Sequence, residues 1–312
     1  MQTAAIVFEQ PGSLAVRRLA LTAPNADDVV IETQYSGISS GTEKMLFEGT
    51  MPAFPGMRYP LVPGYESVGT IVEAGPDSGR RQGEQVFVPG ANCFADAAGL
   101  FGASAAMLVV PGNRTVRTSF ERPAEAALLA LAATAHHAVF RSRRVASLVI
   151  GHGVLGRLIA RVIIATGHAP PTVWETAERR RLGQHGYTVV DPHQDDRAGH
   201  ATVVDASGDA RILDRAVSRL ERQGELVLAG FYGSRVDFSF PAAFMRETSF
   251  VIAAEFTTRD TEAVLDLVAS GTLSLDGLIT HHAAPSEAQA AYRTAFTDPD
   301  CLKMIIDWRK AA

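Results

Sequence analysis

The sequence predicts an α/β chain in two domains: a β-rich N-terminal domain, then a doubly wound parallel sheet. Three observations lead there. Short alternating runs broken by Pro and Gly clusters continue to about residue 120. A buried strand, a glycine loop and an amphipathic helix then follow one another in SLVIGHGVLGRLIARVIIATG. Beyond that loop, strand-like and helical segments alternate, as βαβ units require. At 312 residues the chain is also too long for one ordinary core.

In chain order, AAIVF, VVIETQYS, SVGTIVEA, EQVFVP and AAMLVVP read as strands, separated by turn clusters such as PGS, MPAFPGM and VPGY. Near Glu121 the pattern changes, and ERPAEAALLALAATAHHAVFRS has helical spacing with few β-branched residues. Strand LVI, a glycine loop and a helix over 157–166 come next, then strands in PPTVWE, GYTVVD, ATVVDAS and GELVLAGF. After Phe256, helix TEAVLDLVASG, strand LITHH, helix SEAQAAYRTAF and strand KMIIDW close the chain, the tail being expected to rejoin the first domain. The expected domains are 1–121, rejoined by 257–312, and 122–256.

Composition excludes several classes. The 29 basic against 34 acidic residues give a net charge of −5, the wrong sign for a general nucleic-acid binder. Two cysteines, Cys93 and Cys301, cannot build a disulfide framework or a cysteine-rich zinc lobe, and fit a reducing cytoplasm. The N-terminus has no basic segment followed by a long apolar one. The apolar run from Leu128 to Ala135 is too short to span a bilayer. No stable membrane insertion is expected.

Gly151-His152-Gly153-Val154-Leu155-Gly156 fits G-x-G-x-x-G between a strand and a helix, the context dinucleotide binding requires. The first glycine makes the turn, the second admits a pyrophosphate, and the third lets helix pack on strand. The phosphates would rest on the helix N-terminus, where unpaired N–H groups and the dipole favour anions. Glu175 ends the next strand, at the roughly twenty-residue distance expected of a ribose-binding carboxylate. It would bond both ribose hydroxyls and repel a 2′-phosphate, favouring NAD over NADP. Arg179, Arg180 and Arg181 follow; they could read a phosphate or form a solvated helix face. Ala206-Ser207-Gly208 and Gly230-Phe231 follow later strands and suit the walls of the same crevice.

SGISSGTE, VPGYESVG, the ATA helix, VIGHGVLG, VVDASG and the closing ITHH resemble the medium-chain dehydrogenase/reductase superfamily along the whole chain. Within it, GISSGTEKMLFEGTMPAFPGMRYPLVPGYE, FVPGANCF and DPDCLKMIIDWR resemble the branch that oxidises the 3-(1-hydroxyethyl) side chain of a chlorin or bacteriochlorin. That resemblance implies a GroES-like domain, a Rossmann domain, a cleft between them, NAD as hydride acceptor and a homodimer formed through the edge of the Rossmann sheet. It also implies that Thr134 could bond the nicotinamide carboxamide.

Zinc-dependent relatives carry a cysteine in the first loop and a His-Glu pair in the second. Here the loop reads Gly37-Ile38-Ser39-Ser40-Gly41-Thr42-Glu43 and the pair is Tyr65-Glu66. A hydroxyl and a neutral phenol are poor zinc ligands, so neither catalytic nor structural zinc is expected. Tyr65 could face the substrate hydroxyl, with Ser40, Thr42 or Glu66 completing a relay to water. As an outright base it would need a nearby cation, oxidised nicotinamide or Lys44, because a phenol titrates near pH 10. Alternatively Tyr65 only fills the vacated metal pocket and positioning carries the catalysis.

His136, His137, His152, His281 and His282 compete for the proton role, since imidazole titrates near neutrality. Lone histidines in a helical, Ala-rich stretch such as that of His136 and His137 are more often packing or surface residues. Met45, Phe47, Met51, Phe54, Met57 and Tyr59 could form an apolar rim for a flat macrocycle, with Arg58 meeting a carboxylate, or could pack on their own domain. Two other functions stay open: a zinc-free quinone or enone reductase of the same superfamily, and a non-catalytic dinucleotide sensor.

Overall fold

In the computed structural model, residues 1–310 are described apart from Phe54, Gln184 and Ser234. The N-terminal segment forms β1 (Gln2–Gln10), β2 (Ser13–Ala20), β3 (Asp28–Ile38), α1 (Thr42–Glu48), β4 (Leu61–Val62), β5 (Ser67–Ala74), β6 (Gln85–Val88), β7 (Ala98–Gly99), β8 (Met107–Pro111) and β9 (Val116–Arg117). The middle gives α2 (Leu129–Arg141), β10 (Leu148–Ile150), α3 (Val154–Ala165), β11 (Thr172–Trp174), β12 (Thr188–Val190), β13 (His200–Asp205), α4 (Leu213–Arg219), β14 (Leu220–Leu228), α5 (Phe240–Arg246), β15 (Ser249–Ile252) and α6 (Thr258–Ala269). The chain closes with β16 (His281–Ala283), α7 (Ala288–Thr297) and β17 (Met304–Asp307).

Two compact units result, Met1–Leu129 with Leu278–Ala312, and Ala130–Gly277. Both divisions fall later than the expected 121/122 and 256/257. The 3-10 turn Pro123–Leu128 buries Ala126, Ala127 and Leu128 within the first unit. Helix α6 stays with the second because Asp260 bonds His136 and His137 of α2.

The first unit holds a four-stranded sheet, β2-β1-β4-β7, and a seven-stranded one, β16-β17-β3-β5-β6-β9, with β8 also on β3. Strand β17 pairs antiparallel with β3, Met304 opposite Ile38, so the tail does rejoin this unit. Gly69 lets β5 and β3 approach: a Cβ there would lie 2.2 Å from the Glu32 carbonyl oxygen. Val7, Ile31, Val86 and Leu108 centre one core. Phe8, Leu46, Tyr292 and Trp308 centre a second, where α7 lays its apolar face.

The second unit is a six-stranded sheet in the order β12-β11-β10-β13-β14-β15, paired in parallel throughout. Strand order reverses between β10 and β13, and such a switch point is where α/β sheets bind ligands. Strands β10 and β11 are buried at every position, as expected of a parallel sheet covered on both faces.

Candidate active site

The glycine loop sits at the switch point, and each glycine has a separate physical reason. Gly151 has φ +95°, in the left-handed region, and passes against Ser207, the turn after β13. At Gly156 a Cβ would lie 1.8 Å from the Gly151 carbonyl oxygen, so only glycine lets α3 close on the loop. At Gly153 a Cβ would meet nothing within 4 Å. That open face lies at the N-cap of the twelve-residue α3, whose first turn begins with Val154 and Leu155. Unpaired N–H groups of the helix terminus beside an open backbone suit a pyrophosphate. The second wall is equally tight: a Cβ on Gly230 would lie 2.5 Å from the Gly208 nitrogen. The buried Asp205 carboxylate holds this turn, accepting from Ser207 N, Ser207 Oγ and Gly208 N, and from the Tyr232 hydroxyl. Burial raises its pKa against those bonds. Ala206 is partly buried, and Phe231 is 52% exposed beside them.

Glu175 directly follows β11 at the same end of the sheet. It accepts the backbone N–H of His152 at 3.2 Å and that of Ala177 at 2.8 Å. The His152 ring, by contrast, is fully buried. Its Nδ1 lies 2.5 Å from the Arg180 carbonyl oxygen, which can only accept, so Nδ1 carries the proton and Nε2 accepts from Tyr187 Oη at 2.8 Å. Burial pushes this imidazole down to about 4. As a cofactor contact or a proton acceptor the side chain is therefore corrected: it is a neutral internal strut. Arg157 joins it, donating to the carbonyls of His152, Arg180, Leu182 and Gly183. Together they pin the segment carrying Arg179–Arg181 against the glycine loop. Arg181 itself pairs with Asp191 at 2.9 Å.

Thr134 spends its hydroxyl on the Ala130 carbonyl one helical turn back, at 2.9 Å. His136 and His137 share Asp260, at 2.7 and 3.1 Å through Nδ1. Burial would raise that carboxyl, but bonds from Thr257 and the histidines bring it down to about 2. Phe140 bridges His136 to His168, just beyond the C-terminus of α3.

In the first unit, VPGYES delivers Tyr65 and Glu66 at the start of β5. Tyr65 donates to Ser39 Oγ at 2.6 Å, with Thr42 Oγ1 at 3.5 Å, and its ring meets Phe101 edge-on. Burial, reinforced by the charge of Glu66, lifts the phenol further above its usual range. Ser40, the serine expected here, is exposed; its neighbour Ser39 makes the contact. Glu66 is fully buried and accepts Lys303 Nζ at 2.7 and 3.0 Å. Gly37 permits this, since a Cβ there would lie 2.1 Å from Glu66 Oε2. Lys44 turns away, to the Phe296 carbonyl and Glu48. Ser39, Glu43, Tyr292 and Lys303 were not singled out from sequence. Lys303 comes from KMIIDW, hundreds of residues from Glu66, and no local pattern pairs them.

Among the described residues no group of three or more His, Cys, Asp or Glu side chains is placed to hold a metal ion. The donor set does not suit zinc either: Glu66 is taken by an ammonium, Glu43 by the Ser39 N–H and the Tyr292 hydroxyl, and the phenol holds its proton. The apolar rim is corrected. Met51 lies in the core, Met45, Phe47, Met57 and Tyr59 pack against it, and Phe47 meets Phe8 and Phe296. Phe54 lies outside the described residues, and Arg58 is exposed.

Comparison with known proteins locates this arrangement. Residues 25–119 match the alcohol dehydrogenase GroES-like domain. The chain is 52% identical, over all of both chains, to the 2-desacetyl-2-hydroxyethyl bacteriochlorophyllide A dehydrogenase of Cereibacter sphaeroides. It is 50% identical, again over all of both chains, to the protein of that name from Rhodobacter capsulatus. Among solved structures, an alcohol dehydrogenase of E. coli CFT073 complexed with NADH aligns with a TM-score of 0.82 at 20% identity, over 98% of this chain and 99% of that one. A putative zinc-binding dehydrogenase of Sinorhizobium meliloti bound to NADP aligns with the same score and identity, over the same shares. The solved structures carry the fold alone.

Proposed function

The chain belongs to the medium-chain dehydrogenase/reductase superfamily, in the family of the hydroxyethyl bacteriochlorophyllide dehydrogenases, and on that premise we propose that it oxidises the 3-(1-hydroxyethyl) group of a chlorophyllide or bacteriochlorophyllide to 3-acetyl, with NAD and without zinc. The observation that carries this is full-length identity of about half to two dehydrogenases so named.

The chain's own residues supply binding, orientation and proton handling. Gly151, Gly153, Val154, Leu155 and Gly156 cradle the pyrophosphate, with Ala206–Gly208 and Gly230–Phe231 as walls. Glu175 exchanges its two backbone donors for the ribose hydroxyls, and its charge disfavours a 2′-phosphate. When bound, the oxidised nicotinamide accepts the hydride. Tyr65 orients the carbinol oxygen. It stays protonated at neutral pH, so it passes the proton on in concert with the Ser39 and Thr42 hydroxyls rather than acting as a free phenolate. Glu66, neutralised by Lys303, braces the loop and does not reach the relay through any contact of its own.

We also propose a homodimer through β15. It is the edge strand of its sheet, Ile252 is 63% exposed on it, and Phe240, Phe244 and Met245 stand exposed on α5 immediately before it.

The test is to mix the protein with a hydroxyethyl pigment and either dinucleotide. The pigment's long-wavelength band should shift as NADH appears, and chelation should leave the rate unchanged. No shift with NAD or NADP would defeat the reading and favour a dinucleotide sensor.

A further inference from the structure

The relay described so far leaves one buried carboxylate without a role. Glu43 is fully enclosed. Its Oε1 accepts the backbone N–H of Ser39 at 3.0 Å, and its Oε2 accepts the Tyr292 hydroxyl at 2.8 Å. Ser39 is the residue whose Oγ receives the Tyr65 hydroxyl. One carboxylate therefore holds both the loop that presents Tyr65's partner and a phenol from α7. The other ionisable groups facing it are Glu66, which repels its charge, Lys303, which attracts it, and Tyr65. Lys44, adjacent in α1, points elsewhere.

An ionised carboxylate only accepts hydrogen bonds; a protonated one must donate from one of its oxygens. Protonated on Oε2, Glu43 would donate to the Tyr292 oxygen and leave the Ser39 N–H on a neutral carbonyl oxygen, so the charge-assisted bond that holds the Ser39 loop is lost. We propose that Glu43 is the positioning residue of this site: ionised, it holds Ser39, and so the Tyr65–Ser39 hydroxyl pair, through a charge-assisted bond, and protonated, it slackens that hold, so turnover depends on its charged form. This rests on the alcohol oxidation proposed above.

Burial, with Glu66 adding to it, pushes this carboxyl up to about 7 from 4.5, against the lowering by Ser39, Tyr292 and Lys303. The folded chain thus holds a proton that the unfolded chain has released between pH 4.5 and 7. The stability due to this group is full below pH 4.5 and is lost as pH rises through about 7. Activity and stability consequently move in opposite directions at the same residue, which a purely structural role would not produce.

The experiment is the pH profile of kcat for the hydroxyethyl pigment, in the wild type and in Glu43→Gln, with infrared spectra of both proteins over the same range. Wild-type kcat should fall about tenfold per pH unit below about 7. The variant should turn over more slowly at pH 8, lack that limb, keep its KM for NAD, and melt no lower than the wild type at pH 8. The wild type should show a carboxylic-acid carbonyl band that vanishes as pH rises through neutrality and is missing from the variant. An acid limb unchanged in Glu43→Gln, or no such band difference, would overturn the proposal. A wild type inactive at every pH would sink the oxidation reading and the gating with it, and the variant then never enters the comparison.

Discussion

Lys303 and Glu66 show how much a single buried pair can decide. Each has lost nearly all its water, with side chains 2% and 0% exposed, and the pair is tolerable only because the ammonium also reaches the Ile38 carbonyl. Removing one partner strands the other. Lys303→Met is expected to cost about 3–5 kcal/mol in denaturant unfolding, and adding Glu66→Gln should recover much of it; additive losses would contradict the pairing. Glu175 works at the other unit. Because bonds to a charged group are worth about 1.5–3 kcal/mol, Glu175→Ala should lower kcat/KM for NAD about ten- to hundredfold, and less for NADP. An unchanged ratio between the two would remove Glu175 from cofactor choice. Tyr65, Thr42 and Glu66 could be named from sequence because they stand in motifs. Ser39 could not be told from Ser40, since adjacent serines in a loop differ only in which way the backbone turns them.

At the level of elements, the strand–loop–helix around Gly151–Gly156 is the best-determined part of the chain. Its residues are constrained locally, by φ at Gly151 and by contact at Gly156. Gly156→Ala should therefore destabilise the second unit by about 3 kcal/mol and weaken dinucleotide binding in calorimetry; a variant as stable and tight-binding as the wild type would refute the close packing. Elements held by distant partners were harder to see. Strand β2 carries Arg17 and Arg18 in its middle, and its burial follows no strict alternation. Strands β4, β7 and β9 are two residues each, too short for any periodicity. Helix α5 and β15 also escaped: SFVI is partly exposed along its length, so it has no clean alternation to read.

For the whole molecule, α5 and β15 decide the assembly prediction. An edge strand with unpaired backbone and exposed Ile252 should pair with its copy, and a charge there should prevent it. Sedimentation of Ile252→Lys is expected to show a monomer where the wild type shows a dimer, with dinucleotide binding per chain retained. A dimeric variant would place the interface elsewhere. No helix among the described residues is long and apolar enough to cross a membrane.

The sequence by itself determined the α/β class, the strand–loop–helix with its three glycines, a carboxylate, Glu175, at the end of the next strand, and the Tyr65-Glu66 pair at the start of β5. All of these are written in short windows, where steric limits and side-chain chemistry act between near neighbours. Only the tertiary structure decided that His152 is a strut, that the Met-rich loop is packing, that Ser39 meets Tyr65, and that Lys303 and Tyr292 reach Glu66 and Glu43. Those outcomes depend on burial and on partners far away in the chain, and neither quantity exists until the sheets have closed.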